Sequence, residues 1–541
     1  MKIIGLWSGH DCSYSVLEDG VVTRHDELER FIREKEPHGD AFKLMKENYG
    51  DFKDTKYFVT CSPTSKLTQY EDSYSEMIET VKENNGDIYC VGHHKSHAAN
   101  AFYSSNLKES LILTMDGGGV EEDNFETAAT IWKGSGTKIR QIHRFRLHDF
   151  NIGGLWTRVT RYVFDLQNGW PRGCQAGSVM AMAAFGDHKK YLEDFRRMLT
   201  VDQVIASHKP AGQPKGANVG TDPDHPYLHK YRLIAKSSEE EKFNLAASLQ
   251  YATEELIKGL LDQVLNQFPS ENLCLSGGVT LNCVAVGKIK KWFPQLKNVY
   301  VTPTPHDGGL PIGASQYVWH HVLDNPRITW EDNSTPYLGS TYSQDSIQTA
   351  IGKNKDKLIV KNDVTVEEVI ELLNDQKIVS VFGGGSESGR RALGNRSILA
   401  DPRSDKMKDL INEKVKHRQW FRPFAPSILR EKVSDWFERD EDSPYMNIVL
   451  NFKEEMKEKV QAVVHKDGTA RIQTVTENDN NWYYNFLKKW EEKSGVPIIL
   501  NTSFNDREPI CETPDHAINC FLGTDIDYLY FYDYNTLLRK N

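Results

Sequence analysis

Four times in its first 310 residues this chain runs an apolar stretch straight into a glycine loop that carries polar side chains. KIIGLW enters SGHDCS, LILTMD enters GGG, NLCLS enters GGVTLN, and VYV passes through TPTPH into DGG. Such a run reads as a buried strand followed by a tight turn. Strands alternating with helical stretches build an α/β domain whose ligands gather at the strand tips. Between two of these units, residues 243–268 keep an apolar period that fits one long helix. IYC leads into HHKSHAANAFYSS as a strand entering a helix, and Glu18-Asp19-Gly20 marks a hairpin turn between SYSVL and VVTRHDEL. LILTMD reads as a strand that ends on Asp116 before three glycines. No internal repeat is visible.

At 541 residues the chain is too long for one core. The break is expected at about residues 326–348, which are polar, rich in turn formers and without periodicity. Beyond it, Thr365-x-x-Glu368 signals a capping box, KIVSVF a strand and GGGSESG a loop, so a second α/β domain is expected. The boundaries are 1–340 for the first domain and 345–541 for the second. Residues 210–227, rich in Pro, Gly, Asp and Lys, read as a surface insertion. Net charge is −10, which argues against a nucleic-acid partner and against general attraction to an anionic membrane. No apolar run reaches the ~20 residues of a membrane helix. The opening MKIIGLWSGHDCSYS reads as a strand rather than a signal peptide. The eight cysteines form no C-x-x-C, and a reduced, cytoplasmic protein is expected.

His93 and His97 stand four apart, and residues i and i+4 share a helix face, so both imidazoles can reach one ion. Asp116 and Asp307 each follow an apolar strand and precede glycines, which puts them at strand tips. Two histidines with carboxylates suit Fe(II), Mn or Zn, and the donor set does not choose among them. His94 reads as a packing or hydrogen-bonding residue and His306 as a neighbour of the site. Glycines let main-chain N–H groups come close to phosphate, and three glycine loops at strand ends are the arrangement of sugar-kinase and Hsp70-like ATPases. His10 and Asp11 in the first loop point at the group to be transferred, and His10 is the natural general base near neutral pH. The plain alternative for His10 is a loop histidine bonded to main chain.

Residues 390–422 reverse the acidic balance. They hold Arg390, Arg391, Arg396, Arg403, Lys406, Lys408, Lys414, Lys416, Arg418 and Arg422 against Asp401, Asp405, Asp409 and Glu413. Lys406 and Lys408 fit a solvated helix face. Arg391 and Arg396 bracket a turn-like Ala-Leu-Gly-Asn, and Arg422 lies between Phe421 and Pro423-Phe424, where its guanidinium would be held rigidly. A guanidinium fork binds phosphate or carboxylate bidentately. NTSFN follows the apolar VPIIL and supplies amides and hydroxyls at another strand tip.

GHDCSYSVLEDG, LERFIREK, HHKSHAANAF, LTMDGGG, MAMAAFG, LSGGVTLN and HDGGLPIGA, followed by ESGRRALGNRSILADPR, VKHRQWFRPFAPS and NTSFN, resemble in order the NodU/CmcH family of O-carbamoyltransferases. The resemblance implies an α/β (α+β) fold with an N-terminal Kae1-like domain of the actin, Hsp70 and sugar-kinase type and a C-terminal YrdC-like domain. It implies that the second domain turns carbamoyl phosphate and ATP, with Mg, into carbamoyl-adenylate, and that the first passes the carbamoyl group to a hydroxyl of a small acceptor such as a sugar or natural product. It implies catalytic roles for His10, Lys35, Arg391 and Lys416. Arg391, Arg396, Lys416, Arg418, Arg422, Asn501 and Ser503 would bind carbamoyl phosphate and adenylate. Asp11, Gly117, Gly118, Gly278 and Asn282 would meet nucleotide in the first domain, and His93, His97, Asp116 and Asp307 would hold Fe(II), with Mn or Zn as substitutes. A homodimer is compatible with it. Two positions depart from the family pattern: Arg390 stands for a usual proline, and Ser178 in GSVMA for a usual lysine. The aromatic residues of 151–170 are expected to line the acceptor cleft. Rival readings are a threonylcarbamoyl-adenosine-type tRNA enzyme and a non-catalytic ATP-binding regulator of Hsp70-like fold.

Overall fold

The computed structural model describes residues 1–52, 54–61, 71–147, 149–166, 174–200, 228–328 and 336–541. The chain divides into two compact α/β units. The first comprises Met1–Glu29 and Glu34–Trp330, the second Glu331–Asn541 together with the short piece Arg30–Arg33. Among the described residues no helix is long and apolar enough to cross a membrane. The expected insertion at 210–227 and much of the expected linker lie outside the described residues. A helix, Gln344–Gly352, capped by Ser343, already begins inside the stretch read as linker.

The first unit is built from two five-stranded sheets. One holds β1 (Lys2–Trp7), β2 (Ser13–Glu18), β3 (Val21–Glu27), β4 (Thr55–Thr60) and β5 (Asp87–Cys90), ordered β3-β2-β1-β4-β5. The other holds β6 (Glu109–Val120), β7 (Glu126–Ser135), β8 (Lys138–Arg146), β9 (Asn272–Ser276) and β10 (Asn298–Val301), ordered β8-β7-β6-β9-β10. In both, three antiparallel strands come first, then two parallel strands on the other side of the first. The two halves therefore share one topology although no repeat shows in the sequence. The β2–β3 hairpin closes through Asp19 and Gly20 with φ of 49° and 92°. Both angles are left-handed, as the expected two-residue turn requires.

β6 does not stop at Asp116. It runs on to Val120, and its pairing with β7 is irregular between Met115 and Gly119. A bulge aims a side chain without ending the strand, so Asp116 projects from inside a bent strand rather than from a strand end.

The helix His93–Tyr103 follows β5 but packs on the second sheet. Ala98, Ala101, Phe102 and Tyr103 join Ile112, Trp132, Ile139 and Cys274 in one buried cluster. The helix Leu310–Gln316 follows β10 and packs on the first sheet, where Ser315 Oγ lies 3.3 Å from Ser15 Oγ. The two helices cross at Gly313, where an added Cβ would stand 1.9 Å from Ser96 O and 2.7 Å from Asn100 N.

The second unit holds a mixed sheet of eight strands. They are β11 (Leu358–Lys361), β12 (Val379–Phe382), β13 (Arg396–Ala400), β14 (Ala425–Leu429), β17 (Gln473–Val475), β18 (Ile498–Ser503), β19 (Tyr528–Phe531) and β20 (Thr536–Lys540), ordered β11-β20-β19-β12-β13-β18-β14-β17. β15 (Val449–Asn451) and β16 (Thr469–Arg471) pair separately. The helix Val366–Asn374 starts at the expected capping box, Thr365 with Glu368.

The helix crossing gives a prediction. Gly313→Ala is expected to cost about 1–3 kcal/mol of stability, because two backbones must move apart. Gly177→Ala, with nothing within 4 Å of the new methyl, is expected to stabilise its helix by up to about 1 kcal/mol. Urea unfolding of the two variants checks the contrast.

Candidate functional site

In the first unit, the exchanged helices bring together side chains from four stretches of chain. His93 and His97 lie one turn apart on the fully packed helix His93–Tyr103, 2% and 0% exposed. Asp116 comes from the bulge of β6, and Asp307 from the turn that opens the helix Leu310–Gln316. One ligand atom from each of the four lies within 4.8 Å of the others. His93 Nε2 is 3.1 Å from Asp116 Oδ2 and 3.6 Å from Asp307 Oδ1. His97 Nε2 is 3.6 Å and 3.5 Å from the same two oxygens, is fully buried, and has no hydrogen-bond partner.

Each ligand is oriented from behind. His97 Nδ1 meets Ser276 Oγ at 3.2 Å, which turns Nε2 into the cluster. Asp116 Oδ1 accepts from Gly278 N at 3.0 Å and leaves Oδ2 facing the imidazoles. Burial opposes a charged His97 ring, but Asp116 and Asp307 outweigh it and push it up to about 9. Burial also opposes a charged Asp116, yet the two imidazoles hold its carboxyl well below the usual range. The pocket thus favours a positive charge at its centre. A buried imidazole nitrogen with no partner, set among two carboxylates and a second imidazole at 3.1–3.6 Å, fits a divalent ion of the Fe(II), Mn or Zn class. His94 points elsewhere. Its ring bonds Thr114 Oγ1 at 2.7 Å and Thr127 O at 3.0 Å, and burial keeps it neutral. His306 is a neighbour, 3.1 Å from the buried carboxylate of Glu27.

His10 sits beside this cluster, with Nδ1 3.0 Å from Asp11 Oδ2 and 4.0 Å from Asp307 Oδ2, and Nε2 3.8 Å from Glu36 Oε2. Burial works against a charged ring, but Asp11, then Glu36 and Asp307, outweigh it and push His10 up to about 10. The carboxylates therefore make the ring more basic than a free histidine. Glu36, which was not singled out in the sequence, is the neighbour of half-buried Lys35 and also accepts from Cys174 N.

The glycine loops differ in what they do. Gly277, at φ 93°, passes so close to Met115 that a Cβ would lie 2.1 Å from its carbonyl oxygen, and this close approach presents Gly278 N to Asp116. Gly117 O accepts from Asn151 Nδ2, and Gly118 takes φ 131°. Asn282 is engaged within the protein: it caps the helix Cys283–Trp292 and exchanges two amide hydrogen bonds with Gln250. Trp156, Tyr162 and Phe164, expected at an acceptor cleft, are core residues, 8%, 5% and 4% exposed. Trp170 lies outside the described residues. Ser178 is buried and donates to Gln175 Oε1.

In the second unit the basic segment separates into two groups. Arg396, fully buried at the start of β13, donates to the carbonyls of Gly383, Asn395, Ser340 and Gly384 and stacks 3.7 Å over Phe382. Lys416 donates to Ser503 O at 2.6 Å, Asn505 O at 2.8 Å and Asn505 Oδ1 at 2.6 Å. Asn501 Nδ2 ties together Ala392 O, Ser427 Oγ and Gln473 Oε1. These three, expected as direct anion contacts, spend these donors on holding loops in place. The RRALGNR loop has a further anchor. Buried Glu387 accepts from the main-chain N–H of Leu393, Asn395 and Arg396 through one oxygen.

The second group consists of Arg418, Arg422 and Arg471. Burial first, then the neighbouring Arg422 and Arg471, hold Arg418 well below its usual range. Burial and Arg471 push Arg422 down to about 10. Arg471, at the end of β16, has a buried Nε with no hydrogen-bond partner. Arg418 also donates to Asn412 Oδ1 at 2.8 Å and to Pro423 O at 3.3 Å, and the like charges beside it and Arg422 favour an anion there. The rigid aromatic stack falls to Arg418, 4.6 Å over Phe424, rather than to Arg422. Ser503 lies beside Lys416, and half-buried Arg391 is on the loop that Glu387 organises.

Two family models match this chain, one described as carbamoyltransferase N-terminus over residues 64–316 and one as carbamoyltransferase C-terminus over residues 370–539. Nodulation protein NolNO of Sinorhizobium fredii is 33% identical over 473 residues, 84% of this chain and 64% of that protein, so the chain spans just under two thirds of it. Nodulation protein NolO of Bradyrhizobium diazoefficiens is 32% identical over 455 residues, 81% of this chain and 77% of that one. Among solved structures, HypF of T. kodakarensis aligns with a TM-score of 0.34 at 13% identity, over 59% of this chain and 48% of that one.

Replacing Glu387 tests how the loop is held. Glu387→Leu leaves three buried N–H groups without an acceptor, at about 1–3 kcal/mol each. A loss of about 3 kcal/mol or more is expected by denaturant unfolding, and a smaller one for Glu387→Gln, which keeps an acceptor oxygen.

Proposed function

Because the chain belongs to the carbamoyltransferase family, and is thus a transferase rather than a non-catalytic regulator, we propose that it is an ATP-dependent O-carbamoyltransferase acting on a small hydroxyl-bearing acceptor. In the second unit, water cleaves carbamoyl phosphate to carbamate and inorganic phosphate. The carbamate oxygen then attacks the α-phosphorus of Mg-ATP and displaces pyrophosphate, which leaves carbamoyl-adenylate. In the first unit, an acceptor hydroxyl gives its proton to His10 and attacks the carbamoyl carbon, the C–O bond to the adenylate phosphate breaks, and AMP leaves.

The observation that carries this reading is the group of Arg418, Arg422 and Arg471, in which Arg422 and Arg471 push Arg418 down and Arg471 pushes Arg422 down. Guanidinium groups that are partly buried beside like charges would stabilise a phosphate as it leaves. Lys416 fixes Ser503 and Asn505 at the end of β18 and the turn after it. In the first unit, a metal held by His93, His97, Asp116 and Asp307 would supply a positive centre for the nucleotide phosphate. Gly278 N, already aligned on Asp116, sets that ligand. His10 would take the proton of the acceptor hydroxyl, and Lys35 stands on the same segment as Glu36, which faces His10.

Pyrophosphate release from ATP, measured with no acceptor present, is expected to require carbamoyl phosphate. Arg422→Ala and Arg471→Ala are each expected to slow it by about 100-fold or more. Release that ignores carbamoyl phosphate would overturn the proposal. Inorganic phosphate is expected to raise the melting temperature of the native chain but not of Arg422→Met. That variant should itself unfold no more easily than the parent, since it removes one half-buried cation from a set of like charges. His97→Ala and Asp116→Asn are each expected to weaken Fe(II), Mn or Zn binding by roughly 10–100-fold in calorimetric titration, and to leave acceptor-free pyrophosphate release intact.

A further inference from the structure

A second cluster of metal-ligating side chains lies in the second unit, apart from the groups used above. After β18 ends at Ser503, the chain turns through residues 504–512 and enters the helix Pro514–Gly523. Cys511 in the turn is 0% exposed and Cys520 on the helix is 8% exposed. Glu508, earlier in the turn, is half-buried. One carboxylate oxygen of Glu508 and the two Sγ atoms all lie within 4.8 Å of one another. We infer that Glu508, Cys511 and Cys520 hold a zinc-class divalent ion, with water as the fourth ligand.

The geometry is close to what such an ion requires. Tetrahedral zinc has bonds of about 2.3 Å to sulfur and about 2.1 Å to oxygen, so its ligand atoms stand roughly 3.5–3.8 Å apart. The three atoms reach that spacing with shifts of about 1 Å or less. Two thiolates exclude the hard ions Mg and Ca and favour a borderline-soft one. The charges also balance. Three anionic ligands exceed a divalent ion by one negative charge, and Arg33 Nη2 lies 3.3 Å from Glu508 Oε1 to offset it. The ligands are partly fixed already. Cys511 N donates to Phe504 O at 2.9 Å, and Glu508 Oε2 accepts from Arg507 N at 3.1 Å.

The consequence reaches Lys416. Asn505 Nδ2 donates to Glu508 O, while Asn505 O and Oδ1 accept from Lys416. An ion on Glu508, Cys511 and Cys520 would tie the turn that carries Asn505 to the helix behind it and so hold Lys416 in place. The site is a structural one and does not depend on the carbamoyl reading.

Cobalt(II) titrated into the reduced, chelator-treated full chain tests it. The native chain and His97→Ala are both expected to give intense near-ultraviolet thiolate-to-cobalt absorption, and Cys511→Ser/Cys520→Ser is expected to give none. Glu508→Gln, a conservative change at a half-buried position, is expected to keep the band at roughly 10-fold or more weaker affinity. Three results would overturn the inference: no thiolate band from the native chain with both thiols free, a band unchanged in the double variant, or a Cys511–Cys520 disulfide in protein purified from zinc-replete cells.

Discussion

The first unit depends on two helices crossing at Gly313 with almost no space between their backbones. Each helix belongs by sequence to one sheet and packs on the other, so neither half can bury its apolar face alone. Asn100 secures the crossing by donating to Thr304 O and Gly309 O. One helix carries His93 and His97; the other begins beside Asp307. The same crossing that closes the core therefore sets the distance between imidazoles and carboxylate. A side chain at 313 would push apart two backbones and, with them, the ligand set.

Local chemistry made part of this legible in the sequence. The Asp19-Gly20 turn, the Thr365–Glu368 box and the i,i+4 histidines each follow from a rule that spans five residues or fewer, and each stands where expected. What a local rule does not reach was not legible. The shared topology of the two halves leaves no repeat because each strand needs only an apolar pattern and not a particular residue. Three glycines after Asp116 read as a stop, whereas the strand absorbs them as a bulge. Arg471 lies outside the basic segment on a three-residue strand, and nothing near it in sequence marks it as the partner of Arg422. Glu387 read as one polar residue in a glycine loop, and only the folded loop shows three N–H groups converging on it.

Arg396 and Arg422 show why residue type alone did not assign the anion contacts. Both are arginines in the same basic run. Arg396 is surrounded by carbonyls, which satisfy a guanidinium without neutralising it and make it a fixed strut. Arg422 is pushed down by burial and by Arg471. A cation satisfied by dipoles holds structure, and one set against other cations holds a place for an anion.

The two pockets are opposite in sign. In the first unit two carboxylates press His97 to keep a proton; in the second, Arg422 and Arg471 push Arg418 down, and Arg471 pushes Arg422 down. Each is an unbalanced charge set kept in a low-dielectric setting, where the imbalance is costly and a ligand of the right sign recovers the cost. The surrounding fold has to supply that cost in advance through packing, which explains the buried helix around the histidines and the main-chain carbonyls around Arg396 and Lys416. Rigid support of this kind also limits how far each pocket can collapse on itself. A softer frame would let Asp116 and Asp307 turn away from each other, or the arginines reach outward to water, and the site would lose its selectivity for charge before the fold lost its stability.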